Sequence, residues 1–192
     1  CGEIPLCPYD SCRLLAINLF SYVVNPFKPD AYFDFDLFKK HVALAQRIMD
    51  DIIDLELEKI ERIMAKIDSD TENEDVKHTE SVLWQKIYKK SGQGRRTGVG
   101  ITAEGDMLAA LGLRYGTEEA TEFAEKVHQT VALSAYRSSV EMAKERGAFE
   151  VYDSEREKNN PFINRLREAD PELYEEMKKS GRRNIACLTL AP

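Results

Sequence analysis

The apolar positions change period three times along the chain. Leu14 to Leu19, continuing through Phe20 to Val24, is a short run rich in β-branched and aromatic residues, so it predicts a buried strand. Asn25-Pro26 and Lys28-Pro29-Asp30 end it in a turn. From about 36 to 67, Leu37, Leu44, Ile48, Ile52, Leu55, Ile63 and Ile67 recur at helical spacing, which predicts one long helix capped by Asp34 or Asp36 and packed across a sheet. Residues 68–80 are acidic and nearly free of large apolar groups, and predict a surface loop. A short helix around Val82, Leu83, Trp84 and Ile87 follows, with Trp84 as a packing anchor.

The second half is punctuated by caps. Ser91 to Gly100 predicts a structural turn whose glycines let backbones approach, leading into a helix over 103–111. Gly112 and Gly116 frame a turn, and Thr117 caps a helix with Glu118 and Glu119 in its first turn. Its buried face reads Ala120, Phe123, Ala124, Val127, Val131, Ala135 and Met142, and Gly147 stops it. Ala132, Ser134, Ser138 and Ser139 predict close approach to a neighbour. Asn160-Pro161 and Asp170-Pro171 open two short helices, Gly181 closes the second, and Asn184 to Leu190 reads as a buried strand. The class is α/β, with a buried strand near each end, a mostly helical middle, and no internal repeat.

Composition narrows the function. The 192 residues are 43% hydrophobic and 32% charged, an ordinary globular balance, and the net charge of -7 disfavours nucleic acid and anionic membrane as partners. No apolar run approaches the roughly 20 residues that span a bilayer, and no secretory signal opens the chain, so a cytoplasmic setting is expected. Of four cysteines, three stand at positions 1, 7 and 12, a crowding that points to catalysis, redox exchange or metal rather than structural disulfides.

Each candidate has a competing reading. A zinc-binding module using Cys1, Cys7 and Cys12 lacks the Cys-x-x-Cys spacing. An N-terminal Cys1 nucleophile belongs with long β layers, which this chain does not have. Thiol redox or radical catalysis would pair Cys1 with Glu3 as the proton acceptor. Asp50, Asp51 and Asp54 read as a solvated helix edge rather than a metal site. The Arg95-Arg96 glycine stretch matches neither the Walker nor the dinucleotide spacing. His41, His78 and His128 have no partner at ligand spacing, and Cys187 reads as a small hydrophobe.

Several motifs together resemble the large, catalytic subunit of ribonucleotide reductases, most closely the adenosylcobalamin-dependent class. Cys1-Gly-Glu3 matches the last three positions of the family's finger-loop motif Asn-x-Cys-x-Glu. Pro5 to Tyr9 and Cys12 to Leu19 resemble its continuation. Arg95 to Gly100, Asp106 to Gly112 and Tyr136 to Phe149 resemble its glycine turn and two helices, and Asn184 to Pro192 its strand leading to a phosphate-binding Ala-Pro-Thr-Gly loop.

The resemblance implies that Cys1 is the thiyl radical that abstracts the 3′ hydrogen of the ribose, and that Glu3 accepts the 3′-hydroxyl proton. It implies that Cys12 is one of a reducing cysteine pair and that Ala191 and Pro192 bind substrate. It further implies a segment of a ten-stranded α/β barrel, incomplete at both ends and covering residues 1–192, with adenosylcobalamin as cofactor. The alternative within the family is a radical delivered by a separate metal-containing subunit. The implied partners are a ribonucleotide, a thioredoxin- or glutaredoxin-like reductant, the rest of the reductase and a second copy. A helical interaction module without chemistry is the remaining alternative.

Both ends cut through these motifs. Cys1, and a threonine expected after Pro192, are residue types that a protein-splicing element requires at its downstream flank, so the chain is expected to be a host segment between two inteins. Two strands cannot close a barrel, so the isolated segment is expected to be unstable and inactive.

Overall fold

The computed structural model describes residues 3–11 and 13–190. Its strands are β1 (Arg13–Asn18), β2 (Val23–Val24), β3 (Tyr32–Phe33) and β4 (Thr97–Thr102). Its helices are α1 (Phe35–Ser69), α2 (Glu74–Gly94), α3 (Glu104–Ala110), α4 (Glu118–Arg146), α5 (Ser154–Glu157), α6 (Pro161–Ala169) and α7 (Pro171–Ser180). β1 and β4 pair in parallel, from Arg13 opposite Thr97 to Asn18 opposite Thr102, and β2 and β3 form a small antiparallel ribbon.

The 14–24 run is not one strand. Asn18 turns its side chain back to accept from the Phe20 amide, which converts Leu19–Tyr22 into a single 3₁₀ turn that drops Leu19 and Tyr22 into the core. Within β1 the period-two alternation is clear. Ile17 is buried among helix residues, whereas Leu14 on the opposite face is 60% exposed.

α1 begins where expected, with the Asp34 carboxylate accepting from the Leu37 amide. It does pack on the sheet, but with a different face. Phe38, Val42, Ala45, Met49, Ile53 and Ile60 are buried, while Leu37, Leu44, Ile48, Ile52 and Leu55 are exposed. Two apolar stripes share this helix, and the one holding Phe38 and Met49 meets the aromatic cluster of Tyr22 and Phe33.

The acidic stretch 68–80 is mostly helix. Only residues 70–73 separate α1 from α2, because Asn73 caps α2 and Glu74 and Asp75 lie in its first turn, where negative charge is favourable. The Ser91–Gly100 stretch is likewise not a turn. It is the end of α2, a left-handed Arg95, and then β4. The caps expected at Thr117, Asn160, Asp170, Gly147 and Gly181 are all present. α4 lies close against α1, with Ser138 Oγ donating to the Ala43 carbonyl at 2.8 Å.

The final strand is rudimentary. Val99 bridges Leu188 in parallel, and the Thr97 and Val99 amides donate to the Ala186 and Cys187 carbonyls at 3.0 and 2.8 Å. Gly100 permits this approach, because a Cβ there would lie 2.5 Å from the Thr189 carbonyl oxygen. Gly100→Ala is therefore expected to lower stability by about 1–3 kcal/mol. Gly92→Ala, in the helical run of α2 with no atom within 4 Å of the new Cβ, is expected to raise it by up to about 1 kcal/mol. Thermal unfolding of the two variants checks the opposite signs.

Among the described residues no strand pairs with the outer edge of β1, and there is no closed barrel. No helix is long and apolar enough to cross a membrane.

Candidate active site at the strand ends

The first loop and the last strand meet. The Ile4 amide donates to Thr189 Oγ1 at 3.3 Å, across 185 positions of sequence. This contact lies beside the carboxyl-terminal half of β4, where Val99 and Gly100 adjoin Thr189, and parallel α/β sheets bind their ligands at that end. Glu3, one residue away, is exposed. A cavity of about 230 Å³ opens beside Thr189, lined also by Val99, Ile101, His128, Phe162 and Leu190. His128 is not solitary, since its Nε2 meets Glu104 Oε1 at 3.3 Å, and His41 Nδ1 meets the Tyr22 hydroxyl at 3.1 Å.

The other end of the loop is tied to the start of the sheet. The Asp10 carboxylate takes Arg96 Nε at 2.7 Å and the Ser11 amide at 2.9 Å. Arg13 pairs with Glu56 of α1. The loop is thus anchored at Thr189 by Ile4 and at Arg96 by Asp10. Of the residues expected in the site, the structure places Glu3 at this end; Cys1, Cys12, Ala191 and Pro192 lie outside the described residues. Cys7 is an exposed free thiol, and among the described residues no metal-ligand group includes it.

What holds the last strand in place is a buried polar network that the sequence reading missed. Asn184 accepts from Gln46 Nε2 at 3.0 Å and Ser139 Oγ at 2.9 Å, and donates to Asp50 Oδ1 at 2.9 Å and the Arg95 carbonyl at 3.0 Å. Asp50 is fully buried and also receives Arg95 Nε at 2.8 Å and Arg183 Nε at 3.3 Å, with Arg146 at 3.4 Å. Burial pushes its carboxyl up, but the Arg95 hydrogen bond and charge, with Arg183 and Asn184, outweigh this and hold it below the usual carboxylate range.

Asp50, Asp51 and Asp54 bring carboxylate oxygens within 4.8 Å of one another. Guanidinium groups already occupy that space, since Asp51 pairs with Arg146 and Asp54 with Arg95, each at 2.7 Å. Asp50 is the buried centre of an ion-pair cluster, not part of the solvated helix edge that its spacing suggests, whereas Asp51 and Asp54 lie on that half-exposed edge. The signal was an acid inside the arc between Gln46 and Ile53 of α1, invisible while that helix was assigned its other apolar stripe.

A second support lies under the same segment. Arg182 is 2% exposed and sits over the rings of Tyr136, Phe149 and Tyr152 while pairing with Glu157 through both terminal nitrogens at 2.6 Å. It also donates to the Asn184 and Ile185 carbonyls at 3.0 and 2.8 Å. Burial pushes the neighbouring Cys187 thiol up to about 12 in spite of Arg182 and Ser139, so this cysteine stays a neutral packing group, as its sequence context indicates.

The family model described as ribonucleotide reductase, barrel domain, matches residues 1–192. A vitamin B12-dependent ribonucleoside-diphosphate reductase of Thermoplasma acidophilum is 35% identical over 159 residues, which are 82% of this chain and 17% of that protein. Its namesake from Mycobacterium tuberculosis H37Rv is 30% identical over 156 residues, 81% of this chain and 18% of the relative. The ribonucleoside-diphosphate reductase subunit alpha of Chlamydia pneumoniae is 26% identical over 141 residues, 73% of this chain and 11% of the relative. The chain thus spans less than a fifth of the length of these curated relatives. With a family model matched from its first residue to its last, the chain belongs to the ribonucleotide reductase barrel-domain family.

Proposed function

We propose that residues 1–192 are an internal part of a ribonucleotide reductase catalytic barrel and contribute its radical cysteine, its general base and one reducing thiol. The observation that carries this reading is the Ile4–Thr189 contact, which joins the loop bearing Glu3 to the strand that leads toward Ala191 and Pro192. Catalytic loop and phosphate-binding turn must both reach one substrate, and this contact brings their neighbours together at the ligand-binding end of the sheet. Among the described residues no strand lies on the outer edge of β1, which fits a place inside a larger, ten-stranded barrel.

In this reading Cys1, as a thiyl, abstracts the 3′ hydrogen of a ribonucleotide. Glu3 accepts the proton of the 3′ hydroxyl. The 2′ hydroxyl then leaves as water, and Cys12 with a second cysteine thiol supplies two electrons and two protons. The products are a deoxyribonucleotide, water and a disulfide, and the 3′ hydrogen returns from Cys1. Re-reduction falls to a thioredoxin- or glutaredoxin-like dithiol by exchange. A cytoplasmic setting suits thiols that must be kept reduced, and the parent is read as a homodimer.

Vitamin B12 dependence is in the printed names of two relatives, and adenosylcobalamin is the radical source this reading carries. The residues described here do not fit a corrin by themselves. Drug-sized ligands already need pockets of about 300–1,000 Å³, and the cavity at this end of the sheet is about 230 Å³.

Glu3→Gln tests the base. In the complete reductase kcat is expected to fall about 10²–10⁴-fold, the usual contribution of a positioned acid or base, with KM changed only a few-fold. Steady-state kinetics decides the matter, and a kcat within threefold of wild type would remove Glu3 from this role.

A further inference from the structure

We propose that Thr189 is a positioning residue for Glu3: its hydroxyl holds the peptide that joins Glu3 to Ile4, and so sets where the carboxylate stands. The proposal rests on the reading of Glu3 as the general base. The Ile4 amide donates to Thr189 Oγ1 at 3.3 Å. That nitrogen belongs to the planar unit that also contains the Glu3 Cα and carbonyl, so the hydrogen bond acts on the Glu3 backbone itself.

The loop needs such a hold. Residues 3–11 have no helix or strand of their own, and Glu3 is exposed. The anchor at the other end, Asp10 on Arg96, is too far along the chain to orient Glu3. A general base must come within about 2.6–3.2 Å of the proton it takes. An irregular loop meets that demand only where its backbone is tied to something rigid.

Thr189 supplies the rigid point. It is 6% exposed, and its amide donates to the Val99 carbonyl of β4 at 3.2 Å. Its own carbonyl oxygen lies against Gly100, 2.5 Å from where a Cβ would stand, so the two backbones are in close contact on that side. Upstream, the Val99 amide donates to the Cys187 carbonyl at 2.8 Å, and Asn184 is bonded to the buried Asp50 at 2.9 Å. Branching at Cβ narrows the directions in which a threonine presents its oxygen. The acceptor is therefore fixed before the loop meets it.

In the step served, the 3′ hydroxyl proton passes to the Glu3 carboxylate, which becomes the neutral acid, and the 3′ oxygen keeps the electron pair. Thr189 acts only through Glu3. Its removal can then cost no more than removal of the carboxylate.

The experiment is a double-mutant cycle in the complete reductase. Thr189→Val keeps the branched shape and removes the oxygen. It is expected to lower kcat about 10–100-fold, the range that a small misplacement of a reacting group produces, with KM within threefold of wild type. Thr189→Ser, which restores the acceptor, is expected to return kcat to within threefold. Added to Glu3→Gln, Thr189→Val is expected to lower kcat by less than a further twofold, because the group it positions is already gone. Ile4→Pro deletes the N–H from the loop side and leaves the buried strand untouched. It is expected to reproduce the loss, and it takes the place of Thr189→Val in the cycle if that variant does not fold.

A kcat within twofold of wild type for the variant lacking the hydrogen bond overturns the proposal. So does a loss that Thr189→Ser leaves unrelieved, or one that persists in full on top of Glu3→Gln, which is what a merely structural threonine would give. Glu3→Gln alone within threefold of wild type would instead sink the reading of Glu3 on which the proposal rests.

Discussion

Cys1→Ser in the complete reductase is expected to abolish deoxynucleotide formation, a loss of at least about 10⁴-fold, or about 5.4 kcal/mol of barrier. The proposed chemistry needs a hydrogen-atom acceptor whose bond to hydrogen is close in strength to the ribose C3′–H bond. A sulfur–hydrogen bond meets this condition. An oxygen–hydrogen bond is much stronger, so the serine oxygen does not become a radical under the same driving force, and no alternative path is open to the 3′ hydrogen. Cys7→Ser is the matched comparison in the same loop, since Cys7 is exposed and without an assigned role; its activity is expected to stay within twofold. A zinc module would require both cysteines, so the pair of variants also separates the two readings. Measurable reduction by Cys1→Ser above the background of a fully inactivated enzyme would end the assignment.

The caps were legible because they are local. Asp34, Thr117, Asn160 and Asp170 each satisfy an amide two or three residues on, and the helix-closing Gly147 and Gly181 sit at φ 86° and 72°, where a side chain is strained. Pairing was less legible. Thr97 to Thr102 carries two glycines in six residues, a composition that reads as a turn until a parallel partner is known, and only the approach of Thr189 explains why Gly100 must have no side chain. The face of α1 was misread for a related reason. Leu37, Leu44, Ile48, Ile52 and Leu55 form the more regular stripe, yet they are exposed here, while the stripe that packs on the sheet contains Gln46 and Asp50. A buried acid looks like a solvated one in sequence when its partners, Arg95, Arg183 and Asn184, lie 45 or more residues away. In the candidate site, the motif singled out Glu3, but the contact that locates its loop, Ile4 to Thr189, left no trace in the sequence pattern.

Asp50→Asn is expected to lower the stability of the complete protein by about 3–5 kcal/mol, the cost of leaving buried charge uncompensated. For a unit of this size that corresponds to a drop on the order of 10 °C in its unfolding temperature. The carboxylate is wholly buried and faces Arg95, Arg146 and Arg183, contributed by the cap that ends α2, the end of α4 and the last segment. Asparagine keeps the shape but leaves those guanidiniums without their counter-charge, and its amide can face Asn184 Nδ2 or the arginines with oxygen on only one side. Asp51→Asn removes a carboxylate that is 56% exposed, and is expected to cost no more than about 1 kcal/mol. The pH dependence has a definite sign. Asp50 is held below its unfolded value of about 3.9, so its contribution is complete above that pH and is lost as pH falls through the lower folded value. The difference between wild type and Asp50→Asn should therefore be largest near neutrality and shrink as pH falls below about 4, because the unfolded chain takes up the Asp50 proton there before the folded protein does. Thermal unfolding at pH 7 and at pH 3.5 measures both effects. A variant within 2 °C of wild type at pH 7 would mean that the cluster does not hold α1, β4, α4 and the last strand together, and the position of Thr189 beside Ile4 would then need another cause.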